Sequence, residues 1–311
     1  MKVGVVSNTG YCIPVLQFLR GNGIEASVFM DASSFENSDK LKYFCDIMSL
    51  PVFSGSKDDL YSWIKREGND IVFVMGYRHL IDIKRIPEKL LSGLFNIHFG
   101  PLPEFKGPQP VFWQLKLGKA DLTVAIHRIN RKFDDGEVVW AKSLKKEPHH
   151  SYGMVHMLLA YLTLEGIGLV LSYNLQKKEL PALSKKGSVA KYYNRPRQKD
   201  VFIDWDRMTA ESITDLISAC NPWNKGAVTL FNGNAIKLVD AELLPDVHIS
   251  YHERTPGTII NDEGCLHVLC LHNKVLSVNM MSDEEGTFIA ARFASQSGLV
   301  KGQRFVNGTG S

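Results

Sequence analysis

"DIVFVMGYRHLIDIKRIPEKLLSGLFNIHFGPLPEFKG" spans residues 70 to 107. The run "DIVFVMG" (70–76) is continuously apolar between polar residues and a glycine, as expected of a central parallel strand buried on both faces. "LFNIHF" (94–99) reads as the next strand. Working outward, "KVGVVS" (2–7) is a short Val-rich strand, "CIPVLQFLRGNG" a helix closed by glycine and "EASVFM" a second strand. "LKYFCDIMSL", "DDLYSWIKREGN" and "PVFWQLKLGK" are helical candidates. "LTVAIHRI" (122–129) and "EVVWAKSL" (137–144) read as strands around a tight "NRKFDDG" connection, and 152–175 as a long apolar helix. Strands alternating with helices predict an α/β class: a Rossmann-like, mostly parallel sheet with helices on both faces.

The pattern changes near residue 180. "ALSKKGSVAKYYNRPRQKD" has linker composition. A helix, "TAESITDLISAC", follows it, and then short strand-like pieces separated by Asn-Gly, Pro-Gly and Glu-Gly turns. That spacing predicts a smaller C-terminal β-barrel-like (OB-like) domain. The expected division is a catalytic domain over 1–182, a linker over 183–203 and the barrel over 204–307. The closing "GTGS" is set aside as a cloning scar.

The 311 residues are 44% hydrophobic and 22% charged, enough for two cores and unlike a disordered chain. No apolar run approaches the ~20 residues that would span a bilayer, so no membrane association is expected. The N-terminus reads as a first strand rather than a signal peptide. Five scattered cysteines without a CxxC argue against a disulfide framework or a metal site, and a reducing cytoplasm is the expected setting. Residues 1–200 carry 28 Lys and Arg against 20 acids; residues 201–311 carry 8 against 13. A basic first part suits an anionic ligand, and an acidic second part is a poor cradle for nucleic acid. The first strand-turn-helix, "VVSNTGYCIP", has neither GxGxxG nor GxxxxGK[ST]. The sheet therefore gives no sign of holding a dinucleotide or ATP phosphates in the usual way.

Asn96, His98 and Asp134 are the candidate catalytic group. Asn96 and His98 are two apart on a strand, so their side chains share a face. They sit near the strand's C-terminal end, where open α/β sheets place ligand crevices. Pro101 and Pro103 stiffen the following loop, and Gly107 permits close approach. Asp134 lies in the acidic turn "FDDGEV". An amide can stabilise an oxyanion, an imidazole can move protons near neutral pH, and a carboxylate can orient the imidazole. On spacing alone, an Asn-x-His strand end and an Asp-Asp-Gly turn are more often structural.

"NIHFGPLPEFKGPQP" together with "FDDGEVV" resembles the signature of the folate-dependent formyltransferases: an Asn-x-His strand end, a Leu-Pro-x-x-x-Gly loop and an Asp-x-Gly turn. "NPWNKGAVTLFNG" (221–233) is similar to the opening of the family's C-terminal domain. The resemblance implies N10-formyltetrahydrofolate as donor. It also implies that Asn96 and protonated His98 stabilise an oxyanion while Asp134 holds His98 or a water that carries the amine proton. It places the pterin beside "MGYRHLI" and the "NRKFDDG" loop, with Tyr77, Arg78, Leu80, Ile81, Phe133 and Asp135 as cofactor contacts. Phe99, Gly100, Pro101, Lys106, Gln109 and Arg128 would face the acceptor, with Lys106, Arg128 and Arg131 as diphosphate partners.

Methionyl-tRNA formyltransferases usually read Ser-Leu-Leu-Pro-x-x-Arg-Gly-Ala-Ala-Pro and carry a basic insertion. This chain reads "GPLPEFKGPQP", and its "MDASSFENSDKLK" is not basic. "TVAIHRINRKFDDG" instead resembles the amino-sugar formyltransferases. The resemblance thus implies a nucleotide-linked amino sugar as acceptor. A divergent methionyl-tRNA formyltransferase, formylation of a small amine or peptide intermediate, and a non-catalytic ligand-binding protein are the alternatives. A homodimer through the C-terminal domain is left open.

Overall fold

The computed structural model describes residues 1–33, 39–183, 188–245 and 255–308. Parts of the "MDASSFENSDKLK" stretch, of the linker and of the closing "GTGS" lie outside them. The described residues form two compact units. One comprises Met1–Pro110, Asp121–Lys145 and His156–Asn194; the other comprises Val111–Ala120, Lys146–Val155 and the chain from Arg195 onward. Two short pieces expected within the first domain, 111–120 and 146–155, thus fold with the second unit. Nor is the expected linker a free tether. Lys191 N–H donates to the Pro103 carbonyl, Lys106 N–H to Lys191 and Tyr193 N–H to Lys106.

The first unit is built on strands β1 (Lys2–Ser7), β2 (Glu25–Asp31), β3 (Val52–Gly55), β4 (Ile71–Met75), β5 (Leu94–His98), β6 (Asp121–Arg128) and β7 (Val138–Lys145), in the order β3-β2-β1-β4-β5-β6-β7. β1 to β5 are parallel, as the continuous apolar runs predict. β6 is antiparallel to β5, and β7 to β6. Helix α1 (Ile13–Gly21) follows β1, with α2 (Asp39–Ile47), α3 (Lys57–Glu67) and the one-turn α4 (Glu88–Leu91) further along. α3 starts at a Ser56–Asp59 capping box and stops at Gly68 in a left-handed conformation. Its Leu60, Trp63 and Ile64 pack on Val6, Phe29, Val72, Val74 and Leu94. This core covers one face of β1, β2, β4 and the start of β5.

Helix α5 (Pro110–Lys116) leads into the second unit. Helix α6 (Tyr152–Leu175) begins there and continues into the first. α6 has 24 residues and a most apolar window of mean hydropathy 1.8, long and apolar enough to cross a membrane. This corrects the expectation that no run reaches that length. Half of the window is buried, and Leu159, Thr163, Ile167 and Val170 form an enclosed stripe, so α6 reads as a core helix.

The second unit contains α7 (Ala210–Cys220), strands β8 (Ala227–Phe231), β9 (Asn234–Leu243), β10 (Ile259–Asn261), β11 (Leu266–Leu269), β12 (Val275–Ser282) and β13 (Thr287–Ile289), and α8 (Ala290–Ser297). The strands are antiparallel in the order β10-β11-β12-β9-β8, with β13 on β12. The two edges are joined by one segment, because Arg304 bridges Thr258 beside β10 and Val306 bridges Leu230 in β8. That closure makes the sheet a small barrel. Trp205 is fully enclosed in it, donating to Thr229 Oγ1 at 2.9 Å and stacked on Phe305, so it packs rather than binds.

Candidate active site

The site begins where an apolar row across the first sheet turns polar. Phe29, Val6, Val74, Asn96 and His127 are successive register partners, and partners on adjacent strands project to the same face. The first three meet α3. Asn96 and His127 lie beyond it, with His98 one pleat further along β5.

Two loops close over this polar patch. Residues 99–109 leave the C-terminal end of β5, with a cis Leu102–Pro103 bond. Residues 129–137 leave β6, which is antiparallel, so they start at the opposite end of β5; Ile129 N–H donates to the Leu94 carbonyl. Asp134 sits where the loops meet, in a left-handed conformation with φ 49°, which an Asp adopts more readily than most residues. Gly107 supplies the other half of the junction. Its φ is 99°, and a Cβ there would lie 2.1 Å from the Tyr193 carbonyl, so the position admits only glycine.

The three side chains expected to converge do so. Asp134 Oδ2 accepts from Gly107 N–H at 2.9 Å, and Oδ1 lies 3.5 Å from His98 Nδ1. Asn96 Nδ2 donates to His127 Nε2 at 3.0 Å and, at 3.4 Å, to Asp134 Oδ1. His98 Nε2 meets the Phe105 carbonyl at 2.6 Å. A carbonyl only accepts, so Nε2 carries a proton, and Nδ1 faces Asp134. By the same logic His127 Nδ1 donates to the Arg128 carbonyl at 2.8 Å, leaving Nε2 to accept from Asn96.

Burial pushes the His98 pKa below the ordinary imidazole value of 6.5; the Asp134 charge and the Phe105 carbonyl oppose the shift without cancelling it. For Asp134 burial also disfavours the charge. The charge that His98 can carry and the Gly107 N–H outweigh it and hold the carboxyl down to about 2. The pair is therefore a carboxylate held ionised beside an imidazole whose charged form burial disfavours and Asp134 supports.

The remaining expected residues divide. Phe99 and Gly100 are buried directly behind His98, with Pro101 half-buried beside them. Gln109 has φ 58° at the end of the same loop. Lys106 is paired with Asp135, which accounts for the lowered Asp135 pKa and engages the charge proposed for a diphosphate. Arg128 pairs with Phe95 in register, one residue from His127, and so projects to the opposite face from Asn96. There it donates to the Ser92 carbonyl at 2.8 Å and stacks over Phe95. This corrects its expected role at the site. Arg131 is exposed.

Ile81 is part of the α3 core, so its side chain is not a pocket wall, and Leu80 is half-buried. Phe133 is 44% exposed beside Asp134. Arg78 is fixed by Asp31 and by Ser33 Oγ at 2.6 Å. The Tyr77 hydroxyl is enclosed with no hydrogen-bond partner among the described residues, and burial raises its pKa, so it remains a neutral donor. The Tyr77 ring packs against the α3 core, and Phe133 adjoins Asp134; an orphan donor and an exposed aromatic are the kinds of group that fit a flat heterocycle with polar edges.

His127 is the fourth member of the cluster and was not among the candidate catalytic residues. Its position opposite Asn96 depends on the β5–β6 register, which no local motif encodes.

Models of the formyl transferase family match both parts of the chain: the formyl transferase domain over residues 37–166 and the formyl transferase C-terminal domain over 196–297. The bifunctional polymyxin resistance protein ArnA of Wigglesworthia glossinidia brevipalpis is 27% identical over 266 residues, covering 83% of this chain. The match spans 38% of that protein's own length. WlaRD, a sugar 3N-formyl transferase crystallised with dTDP and 5-N-formyl-THF, superposes with a TM-score of 0.69 at 15% identity, over 89% of this chain and 97% of its own. HypX from Aquifex aeolicus, in complex with tetrahydrofolic acid, superposes with a TM-score of 0.61 at 13% identity, over 95% of this chain and 47% of its own. With both domains matched in order and the Asn-x-His and Asp-x-Gly residues meeting in one place, the chain belongs to the formyl transferase family.

Proposed function

We propose that this protein moves a formyl group from N10-formyltetrahydrofolate to the primary amine of a nucleotide-linked amino sugar. The observation that carries the chemistry is the meeting of Asn96, His98 and Asp134 under two loops, with one carboxylate oxygen facing both the amide and a ring nitrogen. Tyr77, the backbone of 77–81 and Phe133 would hold the donor, which supplies the formyl carbon when bound. The end-to-end likeness to WlaRD and the acidic stretch 201–311, with 8 Lys and Arg against 13 acids, support a sugar acceptor over tRNA.

The chain's own residues divide the work. His98 and Asp134 form a proton relay: a proton leaving the attacking amine is taken up at Nδ1 beside Oδ1 and is returned to the nitrogen whose bond to the formyl carbon breaks. The buried carboxylate stabilises the imidazolium so formed. Asn96 turns its weaker N–H, the one held at 3.4 Å by Asp134, toward an oxygen gaining charge. His127 keeps the amide oriented through the other N–H. Phe105 fixes the His98 ring through Nε2, so Nδ1 is the working nitrogen.

Tetrahydrofolate release from N10-formyltetrahydrofolate tests the reading, with nucleotide-linked amino sugars and methionyl-tRNA as parallel acceptors. Turnover with a sugar supports it. Turnover with tRNA alone overturns the acceptor assignment, and silence with every amine overturns the function.

A further inference from the structure

We propose that the Lys106–Asp135 ion pair is a positioning clasp that holds Asp134 against His98. The inference rests on the site assignment above and concerns how that site is kept in register.

Lys106 stands between the two backbone groups through which its loop touches the site: the Phe105 carbonyl on His98 and the Gly107 N–H on Asp134. Its own N–H and carbonyl are engaged by Lys191 and Tyr193, at 2.9 and 2.8 Å, so its backbone cannot follow a drifting partner. Only its side chain crosses to the other loop, where it pairs with Asp135. The Lys106 side chain is 15% exposed, which limits solvent screening of the pair.

Asp134 needs such a restraint. A left-handed backbone is unfavourable for a non-glycine residue, so neighbours have to maintain it. One anchor is Gly136, packed so closely on the Arg128 carbonyl that no Cβ would fit. The other is Asp135. The loops arrive from opposite ends of β5, and the clasp is the side-chain ion pair between them. Lys106 thus acts on the chemistry through Asp134 and not by holding a phosphate.

The test needs no acceptor, so it can fail independently of the proposed reaction. His98 is titrated by NMR in the full chain, and the Gly107 amide is followed as a reporter of its bond to Asp134. D134N sets the fully released reference. Losing a nearby cation would by itself raise the His98 midpoint. If Lys106 positions Asp134, K106M lowers the midpoint instead, because the carboxylate that supports the imidazolium drifts away. The Gly107 amide then moves most of the way to its D134N position, and K106R restores both signals. D135N, an isosteric change, should move the Gly107 amide in the same direction and guards against a folding defect in K106M. An unchanged or raised His98 midpoint in K106M, or an unmoved Gly107 amide in D135N, overturns the proposal.

Discussion

Gly107→Ala should damage stability and activity together. A Cβ on the present backbone would lie 2.1 Å from the Tyr193 carbonyl, against the 3.0 Å below which real contacts are essentially not found, so the gap must open by about 0.9 Å. The residue also keeps φ 99°, a region that costs a non-glycine residue on the order of 1–3 kcal/mol. Opening the gap carries the Gly107 N–H away from Asp134 Oδ2, and a hydrogen bond to a charged group contributes about 1.5–3 kcal/mol. Together these give a loss of roughly 3 kcal/mol or more, which for a unit of this size lowers the unfolding midpoint by roughly 6–12 °C. A displacement near 1 Å in a catalytic carboxylate slows transfer by on the order of 100-fold. Calorimetry and tetrahydrofolate release measure the two effects. Gly21→Ala, at the end of α1 with nothing within 4 Å, is the control and should be neutral or slightly stabilising. A Gly107→Ala protein that melts and turns over like its parent would refute the argument that this glycine sets the junction.

Four further outcomes are expected. The acid limb of kcat/KM should lie below the ordinary imidazole value of 6.5, because burial lowers His98, and Asp134→Asn should move it lower still while slowing transfer by roughly 10²–10⁴-fold. Acid unfolding should show the same residues: the unfolded chain protonates its histidine near 6.5 and its carboxyl near 3.8, where the folded groups resist. Stability is therefore lost as pH falls below 6.5 through His98, and Asp134 removes about 2 kcal/mol more between 3.8 and about 2, measured by denaturant titration at each pH. Arg128→Ala should leave the transfer rate unchanged and weaken folding by roughly 1–2 kcal/mol through the lost Ser92 and Phe95 contacts. His127→Phe keeps the bulk of a buried ring but removes the acceptor that orients Asn96. Transfer should slow by roughly tenfold or more with little change in KM, in steady-state kinetics on the sugar acceptor.

Much of the parallel sheet was legible because strands buried on both faces read as unbroken apolar runs, as 70–76 does. Asn96 and His98 were legible as a pair because a strand repeats every two residues. Their partner His127 was not, since that requires knowing that β6 runs antiparallel to β5 with Asn96 opposite His127. The same register turns Arg128 to the far face, although its neighbourhood in sequence suggested a place at the site. Barrel closure is equally non-local: Arg304 and Val306 join edges more than forty residues away. The 152–175 helix was read as long and apolar, but its apolar length was underestimated because Glu165 and three glycines break up the run without breaking the helix.

The antiparallel step at β6 explains why the site lies on the face of the sheet and not only at its rim. In a wholly parallel sheet the loops following β5 and β6 would both rise from the C-terminal edge, where a ligand crevice forms between them. Here the loop after β5 comes down from that edge, and the loop after β6 comes up from the other. They can meet only over the middle of β5, and Asn96, His98 and His127 are the residues they cover. The meeting needs a residue in each loop with an unusual backbone. Gly107 adopts its conformation without a side chain to clash, whereas Asp134 must have a side chain because the carboxylate is the functional group. Strain is therefore carried by the residue that cannot be replaced by glycine. The bonds around it, from Gly107, Asn96 and the Asp135 clasp, are the restraints such a residue requires.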